Sequence, residues 1–205
     1  MTEAGSTTGR RTQAERTAAT KAALVDATIE TIADLGYHRA SLGEICTRAG
    51  VSKGGLFRHF DSRLDLVVAA AEEVGRRHLD GVRELGDVPI ADLLTFARSR
   101  ARARINAVWF ELLIAARTDT ALREQLTPVA LHLYDRIEEI AVAATPWAEM
   151  EPDVTRLAVT SVVHMFDGEA VIRAVLPRPD LEEARLAGVV ELFEAVAQDG
   201  SGRPR

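Results

Sequence analysis

The 205-residue sequence predicts an all-α fold of about nine helices. Three observations carry this. Apolar residues recur at i, i+3, i+4 and i+7 along most of the chain, and no segment shows the alternation of a strand. Helix-starting patterns, Thr12 with Glu15 and Ser41 with Glu44, stand just before such stretches. Gly36, Gly50, Pro89, Pro146, Pro177 and Pro179 mark breaks between them. The composition, 47% hydrophobic and 27% charged, is globular and suffices for one large or two small domains. The expected organisation is a disordered arm over 1–11, a three-helix helix-turn-helix domain over 12–61, a larger helical domain over 62–199 and a disordered tail over 200–205.

The first helix is expected from Thr12 to about Leu35, its inner face formed by Leu24, Ala27, Thr28, Ile32 and Leu35. Gly36 ends it, and Tyr37 precedes the next element. In that element Leu42, Ile45, Cys46 and Ala49 sit at i, i+3, i+4 and i+7. Gly50 supplies a left-handed stop, and Ser52 caps a further helix whose apolar residues are Leu56, Phe57 and Phe60. Two short helices joined by a glycine-containing turn form a helix-turn-helix, whose second helix enters the major groove in DNA-binding versions. The polar residues suit that use. Lys53 and Arg58 are cations, His59 is a donor, and Gly54 and Gly55 allow another backbone or a phosphate to approach. An ordinary helix corner in a helical core fits the same spacing.

AGVSKGGLFRHFDSRLDL, with LVDATIETIADLGYHRASLGEI upstream, resembles the signature of TetR-family transcriptional regulators, usually AGVSKGTLYRHFPSKEAL. The likeness covers about Lys21 to Val68. It implies a homodimer with an N-terminal DNA-binding domain and a larger helical domain that binds an inducer and dimerises. Carried onto this chain, the DNA-contacting set is Arg39, Ser41, Arg48, Ser52, Lys53, Gly54, Gly55, Phe57, Arg58, His59 and Arg63. Gly55 stands for the usual Thr, Phe57 for Tyr and Asp61 for Pro. The first two remove hydroxyls that often contact DNA, leaving Lys53 and Arg48 as the main readers of base edges. Because Thr is usual at position 55, Gly55→Thr should be accommodated.

Ser62, with Asp65 three residues on, starts a helix to about Leu85 that joins the two domains, a rod able to carry a shift between sites. Ile90 to Arg104 reads as the next helix. On its wheel Arg104 falls on the apolar stripe, Arg100 on its edge, and Arg98 and Arg102 outside. Arg104 fits either an ion pair with Glu111 or an anionic inducer. Pro128 begins or kinks a later helix, and the last two helices run over about 153–176 and 181–198. The candidate inducer contacts are Arg104, Trp109, Phe110, His132, Tyr134 and His164. Trp147 is a further large aromatic that either packs in the core or borders a cavity. Ser161, Met165, Gly168, Ile172, Val189 and Phe193 are candidates for a four-helix dimer interface.

Charge and chemistry narrow the function. Residues 1–60 hold eight Lys/Arg against six Asp/Glu, and residues 61–205 hold 17 against 25, a mildly basic head on an acidic body. The lone Cys46 excludes an intramolecular disulfide and lies on an apolar face, where a core residue is expected. No membrane span or signal peptide is recognisable, so a cytoplasmic protein is expected. The five histidines show no metal-binding spacing, and no nucleophile elbow, P-loop or dinucleotide fingerprint occurs, so no metal, cofactor or enzyme activity is expected. The expected function is a repressor on double-stranded operator DNA, released by a small-molecule inducer, with recognition helices about 34 Å apart. The alternatives are a helical small-molecule binder that no longer binds DNA, and an enzyme without a recognised motif.

Overall fold

The computed structural model describes residues 12–85, 88–143 and 151–200, without the side chains of 82–85, 142 and 196–200. The terminal arm with Arg10 and Arg11, the tail over 201–205, Gly86, Pro146 and Trp147 lie outside these residues. The described residues form nine helices and no strand. They are α1 (Gln13–Leu35), α2 (Leu42–Ala49), α3 (Lys53–Leu56), α4 (Arg63–Leu85), α5 (Ile90–Ala101), α6 (Arg104–Ala115), α7 (Thr120–Ala143), α8 (Pro152–Ile172) and α9 (Pro179–Gly200). The chain divides into two compact units at Ala70/Ala71. The sequence boundary fell at 61/62. The first turns of α4 belong with the N-terminal unit because Leu66 is buried in its core.

In the N-terminal unit, local chemistry sets each boundary. Thr12 and Glu15 form the full reciprocal capping box of α1. Ser41 Oγ accepts the Glu44 amide at 3.2 Å and starts α2. Gly50, at φ 65° and ψ 28°, closes α2. Its amide reaches the Thr47 carbonyl at 3.3 Å, and the Val51 amide reaches Cys46 at 3.0 Å. These are the two hydrogen bonds of a Schellman stop, which satisfies carbonyls the helix end would orphan. Around this corner Leu24, Ala27, Ile45, Cys46, Leu56 and Leu66 form one buried cluster. Cys46 is a core residue there, buried and unpaired with another cysteine.

The recognition helix is shorter than its apolar pattern suggested. α3 ends at Leu56, and residues 57–59 form a turn with Arg58 bonded to Gly55 and His59 to Leu56, each three residues back. Two consecutive glycines in four helical residues give little propensity to extend it. The tighter turn swings Phe57 off the core face. Its side chain is 51% exposed, while Leu56 is fully buried.

In the C-terminal unit, α5, α8 and α9 pack together, as do α7 and α8. Their shared core contains Ile90, Leu94, Val159, Val162 and Phe166. The expected helix over 90–104 is broken. α5 stops at Ala101, the chain turns at Arg102 and Ala103, and α6 starts at Arg104. This reverses the expected placement of the arginines. Arg98, four residues after the buried Leu94 and three before the buried Ala101, lies on the buried stripe at 5% exposure. Arg104 is exposed. Pro128 lies inside α7, without beginning it. No helix among the described residues is long and apolar enough to cross a membrane.

Candidate nucleic-acid interface and ligand cavity

The N-terminal unit presents its polar residues in two classes. Ser41, Ser52, Lys53, Gly54, Phe57 and Arg58 are exposed around the corner of α2 and α3, with Gly55 and His59 half-buried. Ser52 Oγ caps α3 by accepting the Gly55 amide at 3.1 Å, so one of its functions is local. The remaining cations are engaged within the fold. Arg48 pairs with Asp34 at 2.7 Å. Arg39 Nε donates to the Leu35 carbonyl at 2.8 Å.

Arg63 is the most committed of these cations. Its Nε donates to the Ala40 carbonyl at 3.0 Å, its Nη2 donates to the Tyr37 carbonyl, and the guanidinium lies 4.4 Å from the Tyr37 ring. It therefore clamps the α1–α2 connection to the start of α4, a role its position in the sequence did not reveal. Position 55 is likewise structural. A β-carbon on Gly55 would stand 2.9 Å from Val51 Cγ1 and 3.3 Å from the capping Ser52 oxygen, whereas one on Gly54 would meet nothing within 4 Å. Gly55→Thr is therefore not freely accommodated here. Val51, stiff at χ1, must move first.

The C-terminal unit holds a cavity of about 160 Å³. Two of the six expected inducer contacts line it, Trp109 and Tyr134. Arg104 and His132 are exposed, Phe110 is half-buried, and none of the three lines the cavity. His164 is exposed outside it, its ring 5.7 Å from that of Tyr134. The apolar wall includes Leu94, Phe96, Ile137, Val162 and Phe166. The polar lining further includes His78, Arg100, Asn106 and Asp167, none of them among the expected inducer contacts.

Asn106 Nδ2 donates to the Ala101 carbonyl at 3.0 Å and to Asp167 Oδ1 at 3.2 Å. Burial raises the Asp167 carboxyl above its ordinary range, opposed by that hydrogen bond. Burial also raises the Tyr134 hydroxyl, with the Asp167 charge adding to it. His78 is lowered to about 4, first by burial and then by the Arg100 charge.

A buried ion network also joins α5, α8 and α9. Arg98 Nε donates to Glu169 at 2.8 Å, and Arg102 Nη2 donates to Glu169 at 2.6 Å and to Glu182 at 2.8 Å. Arg185 also donates to Glu169. Burial raises the Glu169 carboxyl, but these three guanidinium bonds together outweigh it and leave it lowered.

Of the expected dimer residues, Met165, Val189 and Phe193 are half-buried against the chain's own core. Ser161 and Ile172 are exposed, and Gly168 has open space beside it. Leu157 and Val171 on α8, Val175 in the turn after it, and Leu181 and Leu192 on α9 are also exposed. Positions 157, 161, 164, 168 and 171 of α8 alternate steps of four and three, a seam pattern legible in the sequence.

Residues 24–70 match the sequence profile of bacterial regulatory proteins, tetR family. An uncharacterised HTH-type transcriptional regulator of Mycobacterium tuberculosis is 41% identical over 192 residues, spanning 90% of this chain and 98% of that protein. The chain belongs to the TetR family of transcriptional regulators. Solved structures share the fold at lower identity. Salmonella enterica GusR matches with a TM-score of 0.67 at 20% identity, over 93% of this chain and 98% of that one. The multidrug binding protein EbrR, solved with imidazole, matches at 0.57 and 21%, over 82% and 93%. This TetR-family regulator thus has the DNA-binding helix-turn-helix of its family at the N-terminus, and an all-helical remainder.

Proposed function

We propose that the protein is a cytoplasmic, homodimeric repressor that a small-molecule inducer releases from its operator. The observation that carries this reading is the pairing, in one chain, of an exposed cationic helix-turn-helix with a separate unit that encloses an apolar cavity. Lys53 and Arg58 are the exposed cations for phosphate attraction, with His59 beside them. The outer apolar face of α8 and α9 supplies a self-complementary surface for a second copy. Control is then thermodynamic linkage. A ligand that binds better to the dimer whose recognition helices are misplaced for two half-sites weakens DNA binding by its differential affinity.

The test is binding of purified protein to DNA from just upstream of its own gene, at fixed salt, with a reporter in cells lacking the protein. Salt-sensitive binding and raised reporter output in the deletion support repression. Binding with lowered output would make it an activator, and no binding would leave a helical small-molecule carrier. For the dimer, Gly168→Leu combined with Ser161→Leu meets little of its own chain, since a β-carbon on Gly168 touches nothing and Ser161 is exposed. The pair should therefore leave the fold intact and give monomers in sedimentation; a persistent dimer would place the interface elsewhere.

A further inference from the structure

We propose that the cavity takes a compact monocarboxylate, an apolar body about the size of one six-membered ring with its anionic group seated between Arg100 and His78. This rests on the reading of the cavity as the inducer site. The volume sets the size. A cavity of about 160 Å³ is close to one of about 150 Å³ that holds benzene. Leu94, Phe96, Ile137, Val162 and Phe166 give the body an apolar wall. A long acyl chain exceeds this space.

Two side chains of the lining, Arg100 and His78, set the charge. Arg100 Nε and His78 Nε2 are both buried with no hydrogen-bond partner among the described residues. Arg100 Nη2 reaches only the Arg77 carbonyl, at 3.4 Å, long for a hydrogen bond, which places the guanidinium beside the backbone next to His78. Its Nε and Cζ lie 3.8 Å from where a β-carbon on Gly81 would be, an ordinary contact distance that sets the guanidinium against α4. The guanidinium cannot shed its charge. His78 lines the same cavity and is held neutral by burial and by Arg100, with a hydrogen bond to Asn106 opposing. A carboxylate accepts from the Arg100 guanidinium and offsets the cation. A neutral ligand of the same shape leaves the charge uncompensated, and an ammonium is repelled by it. Asp167, the acidic group of the lining, already accepts from Asn106.

The experiment is calorimetric titration of the full-length protein at neutral pH with benzoate, benzamide and benzylammonium, repeated on Arg100→Met. Benzoate should bind at least about tenfold tighter than the other two, and Arg100→Met should weaken benzoate by about tenfold or more. Benzamide affinity should stay within about twofold. Equal affinity for benzamide or benzylammonium, an Arg100→Met protein that binds benzoate unchanged, or no binding of any of the three would overturn the proposal. If Arg100→Met fails to fold, the ranking on the unsubstituted protein decides alone. Binding to the upstream DNA, measured without ligand on the same preparation, separates the two readings. A failed ranking with DNA binding intact removes only the carboxylate; lost DNA binding with the ranking intact removes only the regulator.

Discussion

The two units of this regulator differ in how deeply they bury charge. In the N-terminal unit the arginines near the corner make local or exposed contacts, such as Arg48 with Asp34, each 39% exposed at the side chain. In the C-terminal unit Arg98 and Glu169 are buried at 5% and 7% and meet from positions 71 residues apart in the chain. An exposed pair costs little to form or to lose, because water screens it and solvates the survivor. A buried pair has lost its water, so each partner depends on the other. The difference separates a surface that can exchange its partners for phosphate from a core that cannot.

The largest expected effect breaks the buried side of this contrast. Arg98→Ala should destabilise the protein by about 2–4 kcal/mol, because Glu169 loses one of its three guanidinium partners and the buried arginine stem is lost with it. Arg48→Ala should cost about 1 kcal/mol or less. Urea unfolding measures both, and equal costs would erase the contrast. The same pair has an acid signature. The Glu169 carboxyl is lowered in the folded protein from an ordinary value of 4.5, burial opposing and the Arg98, Arg102 and Arg185 bonds prevailing. Its contribution is therefore complete above about pH 4.5 and is lost as pH falls through the lower folded value. Glu169→Gln should flatten the loss of stability below about pH 4.5; an unchanged acid profile would show that other carboxylates carry it.

An intermediate effect sharpens the view of the N-terminal unit. Gly55→Ala should cost about 1–3 kcal/mol, since its β-carbon meets Val51 at 2.9 Å. Gly54→Ala, with open space, should be neutral or stabilising by up to about 1 kcal/mol. Arg63→Ala belongs with Gly55, because it frees the carbonyls of Tyr37 and Ala40, at about 1–3 kcal/mol. Thermal unfolding that ranks Gly54 with Gly55 would mean that Val51 yields easily.

What the sequence disclosed follows the same division. The caps at Thr12, Ser41, Ser52 and Ser62 and the stop at Gly50 act over three to five residues, and each stands where its pattern placed it. Contacts made across the fold were not legible. Nothing near Arg98 indicates Glu169, and treating 90–104 as one helix aimed Arg98 outward and Arg104 inward. His78, Arg100, Asn106 and Asp167 come to the cavity from four helices, α4, α5, α6 and α8. Phe57 failed for a subtler reason. Its spacing fits a longer helix, and two glycines end that helix before the spacing applies.

The smallest effect on the fold should accompany a clear effect on DNA. Lys53 and Arg58 are exposed on the corner of α2 and α3. Lys53→Ala and Arg58→Ala should therefore leave the urea midpoint unchanged. If each side chain neutralises one phosphate of the operator, its removal should lower the slope of log affinity against log salt by about 0.9. The loss should be alike on operator and on unrelated DNA, because a phosphate contact carries no base sequence. Arg63→Ala supplies the contrast. Its guanidinium is held by Tyr37 and Ala40, so its removal should reduce stability while leaving the salt slope near that of the parent. Salt titrations of the three variants on one operator decide this. If Arg63→Ala lowered the slope as much as Lys53→Ala does, Arg63 would be a phosphate ligand as well as a clamp, and the division between exchangeable and committed arginines would fail within the N-terminal unit itself.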